Sequence, residues 1–364
     1  MKIKALPASV KEFTPELFTN LLQQQYPQAV VESFEIVKAL QYGEGMVSTA
    51  ARAILNFTYQ PGCVDNLPTR VILKLAYDLE DLPSPLYVNE VNFYKKIRQE
   101  ITIEAPRCLG AHYDPDSRHF ALLLEDLGER SAQFPNALAP LTIAQVESVL
   151  DNLASLHAQF WQSPRFSSDL NWLETHVSGE LADFMNKQVP YAIQHEIDTN
   201  MFKHELVAKM GSSGDELLSG LLAVQRHQST LPQTLLHGDT HIGNVYLLAE
   251  GPGLLDWQLM VRGYCIHDVN YFITTALPID QRRLYERDLL QHYLSKLAHY
   301  GVKNPPSFDE AWKEYRRTLI WGVYIGWLTT NVANYGWEIN TLNLLRLTTA
   351  YDDLGTDALV KELL

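Results

Sequence analysis

The chain has 364 residues, 46% hydrophobic and 20% charged, a balance that builds a folded protein with room for two lobes and excludes a disordered tail or a coiled coil. Its formal net charge of −14, with no dense run of Lys and Arg, argues against a nucleic-acid partner, because binding a phosphate backbone needs clustered cations. Cys63, Cys108 and Cys265 lie far apart in no Cys-x-x-Cys spacing, so neither a disulfide framework nor a thiolate zinc site is expected, and a reducing, cytoplasmic location fits.

The N-terminal stretch is charged and interrupted by proline, unlike a signal peptide. Thr14-Pro15-Glu16 predicts an N-cap and first turn, opening a short helix with Phe18, Leu21 and Leu22 on one face. Three runs rich in β-branched and aromatic residues follow, at 30–40, 51–59 and 70–77, and predict an antiparallel meander. A glycine-containing turn at 41–50 joins the first two. Ser84-Pro85 predicts the cap of a helix over 86–100, with Val88, Val91, Tyr94 and Ile97 at helical spacing. After a Pro- and Asp-marked turn, residues 119–127 predict one more apolar strand.

From about 140 the pattern becomes helical. Thr142 with Gln145 predicts a capping box, and Val146, Val149, Leu150, Leu153, Leu156 and Phe160 mark one long amphipathic helix. Helical patterns continue to the C-terminus, broken by a block over 235–268 where short apolar strands flank polar loops. Residues 318–337 carry no charge over a membrane-spanning length, but Asn331, Asn334, the threonines and the tyrosines make them too polar for lipid. A buried helix and no membrane span are expected. The reading is an α+β protein of two lobes, 1–128 and 129–364, with neither an internal repeat nor a low-complexity segment.

The polar block carries the chemistry. His237 and His241 are four apart, the spacing by which a helix aims two histidines at one ion, but Gly238 and Gly243 oppose a helix and His267 offers no recognisable third spacing. Asp239, Asn244 five positions later and Asp256 twelve after that suit a different chemistry. Transfer from a Mg²⁺-nucleotide needs a carboxylate to orient or deprotonate an acceptor hydroxyl, and hard oxygen ligands for the metal.

Residues 237–244, HGDTHIGN, followed by LLDWQ at 254–258, resemble the signatures of the aminoglycoside/choline kinase-like phosphotransferases, closest to the ecdysteroid-kinase-like (CHK kinase-like) branch. That resemblance implies a protein-kinase-like fold, with a small β-rich nucleotide lobe and a larger helical lobe that binds the acceptor. It implies Asp239 as the catalytic base, Asn244 and Asp256 as Mg²⁺ ligands, and ATP as the phosphoryl donor. It further implies that Lys74, on a strand, meets the α- and β-phosphates and pairs with Glu90 on the next helix; without it, Lys74 is an ordinary surface lysine. Gly43, Gly45 and Ser48 fall where the family covers phosphates, though a full Gly-x-Gly-x-x-Gly is lacking. The backbone from Glu125 to Leu127 matches the hinge that meets the adenine edge, with Asp126 either sharing in that contact or capping the following turn.

By the same resemblance Asp268 braces the catalytic loop and His237 packs beneath it, while His157 reads as a hydrogen-bonded core histidine. His241 faces either the acceptor or solvent. Trp321, Tyr324, Trp327 and Asn331 recur at helical spacing and form either an acceptor-facing surface or core. The expected activity is phosphorylation of a small-molecule hydroxyl, in an aminoglycoside, a choline-like or a steroid-like alcohol. A catalytically silent nucleotide- or ligand-binding protein on the same fold is the alternative.

Overall fold

The computed structural model of the protein describes residues 3, 5–40, 50–62, 66–76, 82–331 and 335–364. Its contacts divide the chain into two units, Met1–Gln133 and Phe134–Leu364. The architecture is α+β, with an antiparallel sheet in the first unit and helices with two small sheets in the second.

In the first unit, β1 (Val31–Leu40), β2 (Ala50–Tyr59), β3 (Arg70–Ala76), β4 (Cys108–Asp114) and β5 (His119–Glu125) pair antiparallel in the order β1-β2-β3-β5-β4. The Thr14 hydroxyl accepts the Leu17 N–H and starts the helix Pro15–Leu22. Phe18, Leu21 and Leu22 of that helix are fully buried in one core with Leu55, Phe57, Val71, Leu73 and Leu123. Gly110 permits this approach, because a Cβ there would stand 2.6 Å from the Leu21 carbonyl oxygen. Side chains alternate along a strand, so seating Val71, Leu73 and Leu75 in this core turns Lys74 to the opposite face. The helix Pro85–Asn92 packs against β4 and β5.

Two elements of this unit differ from the sequence reading. Ser84 makes no capping hydrogen bond; its hydroxyl accepts from Arg118 Nε at 3.0 Å, and the helix widens into a π turn over Phe93–Ile97 rather than running to residue 100. Strand β4 was hidden, because Cys108–Asp114 contains a glycine and little β-branched character. Its form comes from tertiary pairing along β5, from Cys108↔Leu124 to Asp114↔His119, rather than from local propensity.

In the second unit the capping box of Thr142 and Gln145 opens the helix Ile143–Gln159, whose buried stripe packs on the helix Ile279–His299. Strands β6 (Thr234–Leu236), β7 (Val245–Leu248), β8 (Gly251–Leu254) and β9 (Val261–Gly263) pair as β6 with β9 and β7 with β8. These short ladders are rails for the loops between them. The uncharged stretch is not one regular helix: Phe308–Trp321 passes into a π-helical segment, Gly322–Leu328, and a separate helix starts at Trp337. Trp321, Tyr324 and Trp327 are all buried. Among the described residues no helix is long and apolar enough to cross a membrane.

Candidate active site

The loop that follows β6 is held from below by Asp268, in the first turn of the helix Ile266–Ala276. Its Oδ2 accepts the His237 N–H at 2.8 Å and its Oδ1 accepts the Gly238 N–H at 2.9 Å, while its carbonyl accepts the Thr240 hydroxyl at 2.7 Å. His157 Nε2 reaches the same Oδ2 at 3.1 Å, and His157 Nδ1 meets the Tyr293 hydroxyl at 2.7 Å. Burial alone would raise the Asp268 carboxyl. The hydrogen bond from His157, with the fields of His157, His267 and His237, outweighs burial and holds it below the usual carboxylate value. Asp268 therefore braces the loop and His157 is a hydrogen-bonded core residue.

His237 lies under the loop. Its Nδ1 accepts the Asp239 N–H at 3.2 Å, its Nε2 bonds the Leu255 carbonyl at 3.0 Å, and its ring packs 4.5 Å from that of Trp257. Both ring nitrogens are thus committed to backbone. Among the described residues no group of three or more His, Cys, Asp and Glu side chains is placed to hold a metal. The next residue, Gly238, has φ +82°, and a Cβ on it would run into the Leu259 carbonyl.

Asp239 emerges from this base with 23% of its side chain exposed. Asn244, closing the short turn Ile242–Asn244, donates from Nδ2 to the Asp239 carbonyl at 2.8 Å and to Asp239 Oδ2 at 3.0 Å. Burial raises the Asp239 carboxyl to about 6; His241 and the Asn244 bond pull it down, and Asp256 and Asp268 push it up. The Asn244 carbonyl accepts the Leu255 N–H at 3.0 Å, which joins the loop to the end of β8 just before Asp256. Asp256 itself stands in the left-handed region, φ +66°, a conformation rarely adopted outside glycine. With Asn244 Nδ2 committed to Asp239, the amide oxygen is the atom left for a cation. That oxygen and the Asp256 carboxylate are hard donors of the kind Mg²⁺ takes, one or two protein ligands being usual when phosphates supply the rest.

His241 is 6% exposed rather than solvated. Its Nδ1 accepts the Gly243 N–H at 3.0 Å, its Nε2 lies 3.8 Å from Asp239 Oδ2, and the rings of Tyr271, Trp327 and Tyr335 surround it at 5.9–6.0 Å. Of the residues read as either an acceptor-facing surface or core, Trp321, Tyr324 and Trp327 are buried, and the π-helical segment breaks the 3.6-residue period between them. Trp321 packs on His267 and Tyr271, Trp327 on His241, and Asn331 bonds Glu196.

In the first unit, Lys74 Nζ lies 2.6 Å from Glu90 Oε2, with Lys74 3% and Glu90 1% exposed. Gly43, Gly45 and Ser48 lie outside the described residues. The Glu125 N–H donates to the Arg107 carbonyl at 2.9 Å, and its carboxylate takes Arg107 N–H and Arg130. Leu127 opens a short 3₁₀ turn, where a first-turn N–H has no partner within the helix. Asp126 caps that turn through Gly128 N–H and also pairs with Arg70 at 2.6 Å.

Sequence reading weighed His267 only as a metal ligand and not for its place under the loop, where its Nε2 meets the Gly238 carbonyl at 3.2 Å, and it missed His176, whose ring lies tilted 4.5 Å from that of His267. It also missed Tyr271 beside His241 and Thr275, whose hydroxyl accepts the Ile242 N–H at 3.1 Å. A signal existed: Asp268, Tyr271 and Thr275 are spaced i, i+3, i+7 and share one helix face.

No curated protein matches the chain. Among solved structures the fold resembles a choline kinase from Cryptosporidium parvum Iowa II, at 12% identity, with 96% of this chain and 97% of that one covered and a TM-score of 0.57. It also resembles LicA in complex with AMP, at 12% identity, 94% and 99% coverage and a TM-score of 0.50. A third likeness is to APH(2")-IIia in its GDP and kanamycin complex, at 10% identity, 94% and 98% coverage and a TM-score of 0.50. At these identities the likeness is one of fold. The model of the ecdysteroid kinase-like family matches residues 42–303, most of the chain, and the protein belongs to that family.

Proposed function

We propose that the protein is an ATP- and Mg²⁺-dependent small-molecule kinase, transferring the γ-phosphoryl group to a hydroxyl of a small acceptor. The observation that carries this reading is the Asp239 carboxylate, raised toward neutrality, partly open to solvent and fixed through Oδ2 by Asn244. In the step, the acceptor oxygen forms a bond to the γ-phosphorus as the bond to the β,γ-bridging oxygen breaks. That electron pair leaves on ADP, and the hydroxyl proton passes to Asp239.

Asn244 and Asp256 would hold Mg²⁺, which when bound neutralises charge developing on the phosphates. Lys74, kept in place by Glu90, would hold the α- and β-phosphates, and Leu127 would offer its N–H to the adenine edge. Glu125 is less suited to that contact, its N–H being engaged. The choline kinase and the kanamycin complex among the structural relatives favour a hydroxylated amine as the first acceptor class to screen, and the acidic balance of the chain suits a cation. The family's name makes a steroid-like alcohol the second.

The test is the thermal shift of the purified protein with ATP, in excess Mg²⁺ and in EDTA, for wild type and Asp256→Ala. At about a hundredfold over Kd, binding adds about 2.7 kcal/mol. A shift that needs both Mg²⁺ and Asp256 supports the reading, and no shift at millimolar ATP removes it.

A further inference from the structure

Two N–H groups converge on one oxygen of Asp239. Asn244 Nδ2 donates to Oδ2 at 3.0 Å, and His241 Nε2 faces the same atom at 3.8 Å. Among the described residues no hydrogen bond reaches Oδ1. The tautomer of His241 is settled by its other nitrogen: Nδ1 accepts the Gly243 N–H at 3.0 Å, so in the neutral ring the proton sits on Nε2, the atom turned toward the carboxylate. A separation of 3.8 Å is too long for a hydrogen bond and short enough for a directed charge–dipole contact.

The ring has little freedom to turn elsewhere. Tyr271, Trp327 and Tyr335 present themselves nearly perpendicular to it, at 68°, 81° and 81°. Gly243 is needed as well, since a Cβ there would come within 2.7 Å of the imidazole Cε1. Such a cage around a polar ring, beside a carboxylate with one engaged and one open oxygen, is more than packing requires.

We propose that His241 is a positioning residue for Asp239: its Nε2–H, together with Asn244, holds Oδ2 and so presents Oδ1 to the acceptor hydroxyl. This rests on the phosphotransferase reading. Oδ1 is then the atom that takes the hydroxyl proton as the acceptor oxygen bonds the γ-phosphorus and ADP departs with the bridging electron pair. The aromatic cage belongs to this positioning device, which places the acceptor's reacting hydroxyl on the side of the carboxylate away from His241.

The test compares His241→Phe, which keeps a ring in the cage and removes both nitrogens, with His241→Gln, whose amide N–H can replace Nε2–H. The probe is Mg-ATP with water as the acceptor, read as phosphate release, alongside a histidine-labelled long-range ¹H–¹⁵N spectrum of the nucleotide-free protein. The expected result is a wild-type-like Tm for both variants and an unchanged KM for ATP. His241→Phe should lose about 10- to 100-fold in kcat, with most of it recovered in His241→Gln. In the spectrum His241 should show Nε2 protonated and Nδ1 bare, with Nε2 shifting in Asp239→Asn. A wild-type kcat in His241→Phe, or a proton on Nδ1, overturns the positioning role while leaving the kinase reading intact. A wild type with neither Mg-ATP turnover nor an ATP-dependent thermal shift overturns both, and in one with the shift alone a proton on His241 Nδ1 overturns the positioning role by itself.

Discussion

Asn244 holds Asp239 twice, by its carbonyl at 2.8 Å and by its carboxylate Oδ2 at 3.0 Å, so the proposed metal ligand and the proposed base are one mechanical unit. Yet the carboxyl of Asp239 is raised to about 6, burial being the main cause, which means that ionising it in the folded protein is unfavourable. A raised carboxyl stabilises the fold below the unfolded value and loses that stability as pH rises through about 6. At pH 7 Asp239 is therefore a local liability, which the proposed role as base accounts for. Asp239→Asn should stabilise the apo protein at pH 7 by on the order of 2 kcal/mol, seen as a higher Tm, while cutting kcat by about 10²- to 10⁴-fold. Calorimetry and steady-state kinetics on the same preparation check both halves. Undiminished turnover in that variant removes Asp239 from its role.

The Lys74–Glu90 pair separates stability from function in another way. Both groups are buried, and removing one partner of a buried pair costs about 3–5 kcal/mol, whereas replacing both with apolar residues is often close to neutral. Lys74→Met should thus destabilise strongly, and the double variant Lys74→Met/Glu90→Leu should regain most of the loss. Urea denaturation of the four species measures the coupling. The double variant should still show no ATP-dependent thermal shift, because stability returns and the proposed phosphate contact does not.

Much of this site was visible in the chain because its chemistry sits in short, contiguous segments. Asp239 and Asn244 occupy one loop and Asp256 follows one hairpin later, while Lys74 stood out only through the family resemblance. The sheet of β1 to β3 was legible for the same reason, each strand carrying its own β-branched run. What stayed hidden depends on partners distant in sequence. Strand β4 exists because β5 lies beside it, and the π-helical segment at Gly322–Leu328 is invisible to any reading that assumes 3.6 residues per turn. The cage around His241 draws on Tyr271, Trp327 and Tyr335 from three separate segments, so its burial is a tertiary fact.

Gly238 offers a sharper test of the loop than any charged residue. Its φ of +82° and the Leu259 carbonyl in the place of a Cβ mean that even alanine must displace the backbone. That movement would pull at both Asp268 bonds, to His237 N–H and Gly238 N–H, and so shift Asp239. Gly238→Ala should lower the Tm and reduce kcat by 10²-fold or more, since displacements of about 1 Å cost that much. Gly251, with φ +143° and open space where a Cβ would go, is the control: alanine there should leave kcat unchanged.

Acid should unfold the protein early, and the buried histidines say where. His176 is lowered to about 3 by burial and by its neighbour His267, while burial also lowers His237 and His267. Below about pH 6.5 the unfolded chain protonates these rings more readily than the folded one, so stability falls as pH drops and is unaffected above about 7.5. His176, lowered to about 3, stays neutral through this range and contributes about 1.4 kcal/mol of loss between pH 7.5 and 5.5, and His237 and His267 add to the loss in the same direction. Asp239 works in the opposite direction over this window, its folded form taking up a proton near 6, and offsets about 1 kcal/mol. The stability measured by urea denaturation should therefore decline as pH falls across the range. The slope should steepen in Asp239→Asn and flatten in His176→Met. A stability independent of pH between 7.5 and 5.5 would show that the histidines beneath the loop are free to charge, and with that the dry, fixed base under Asp239 would be lost.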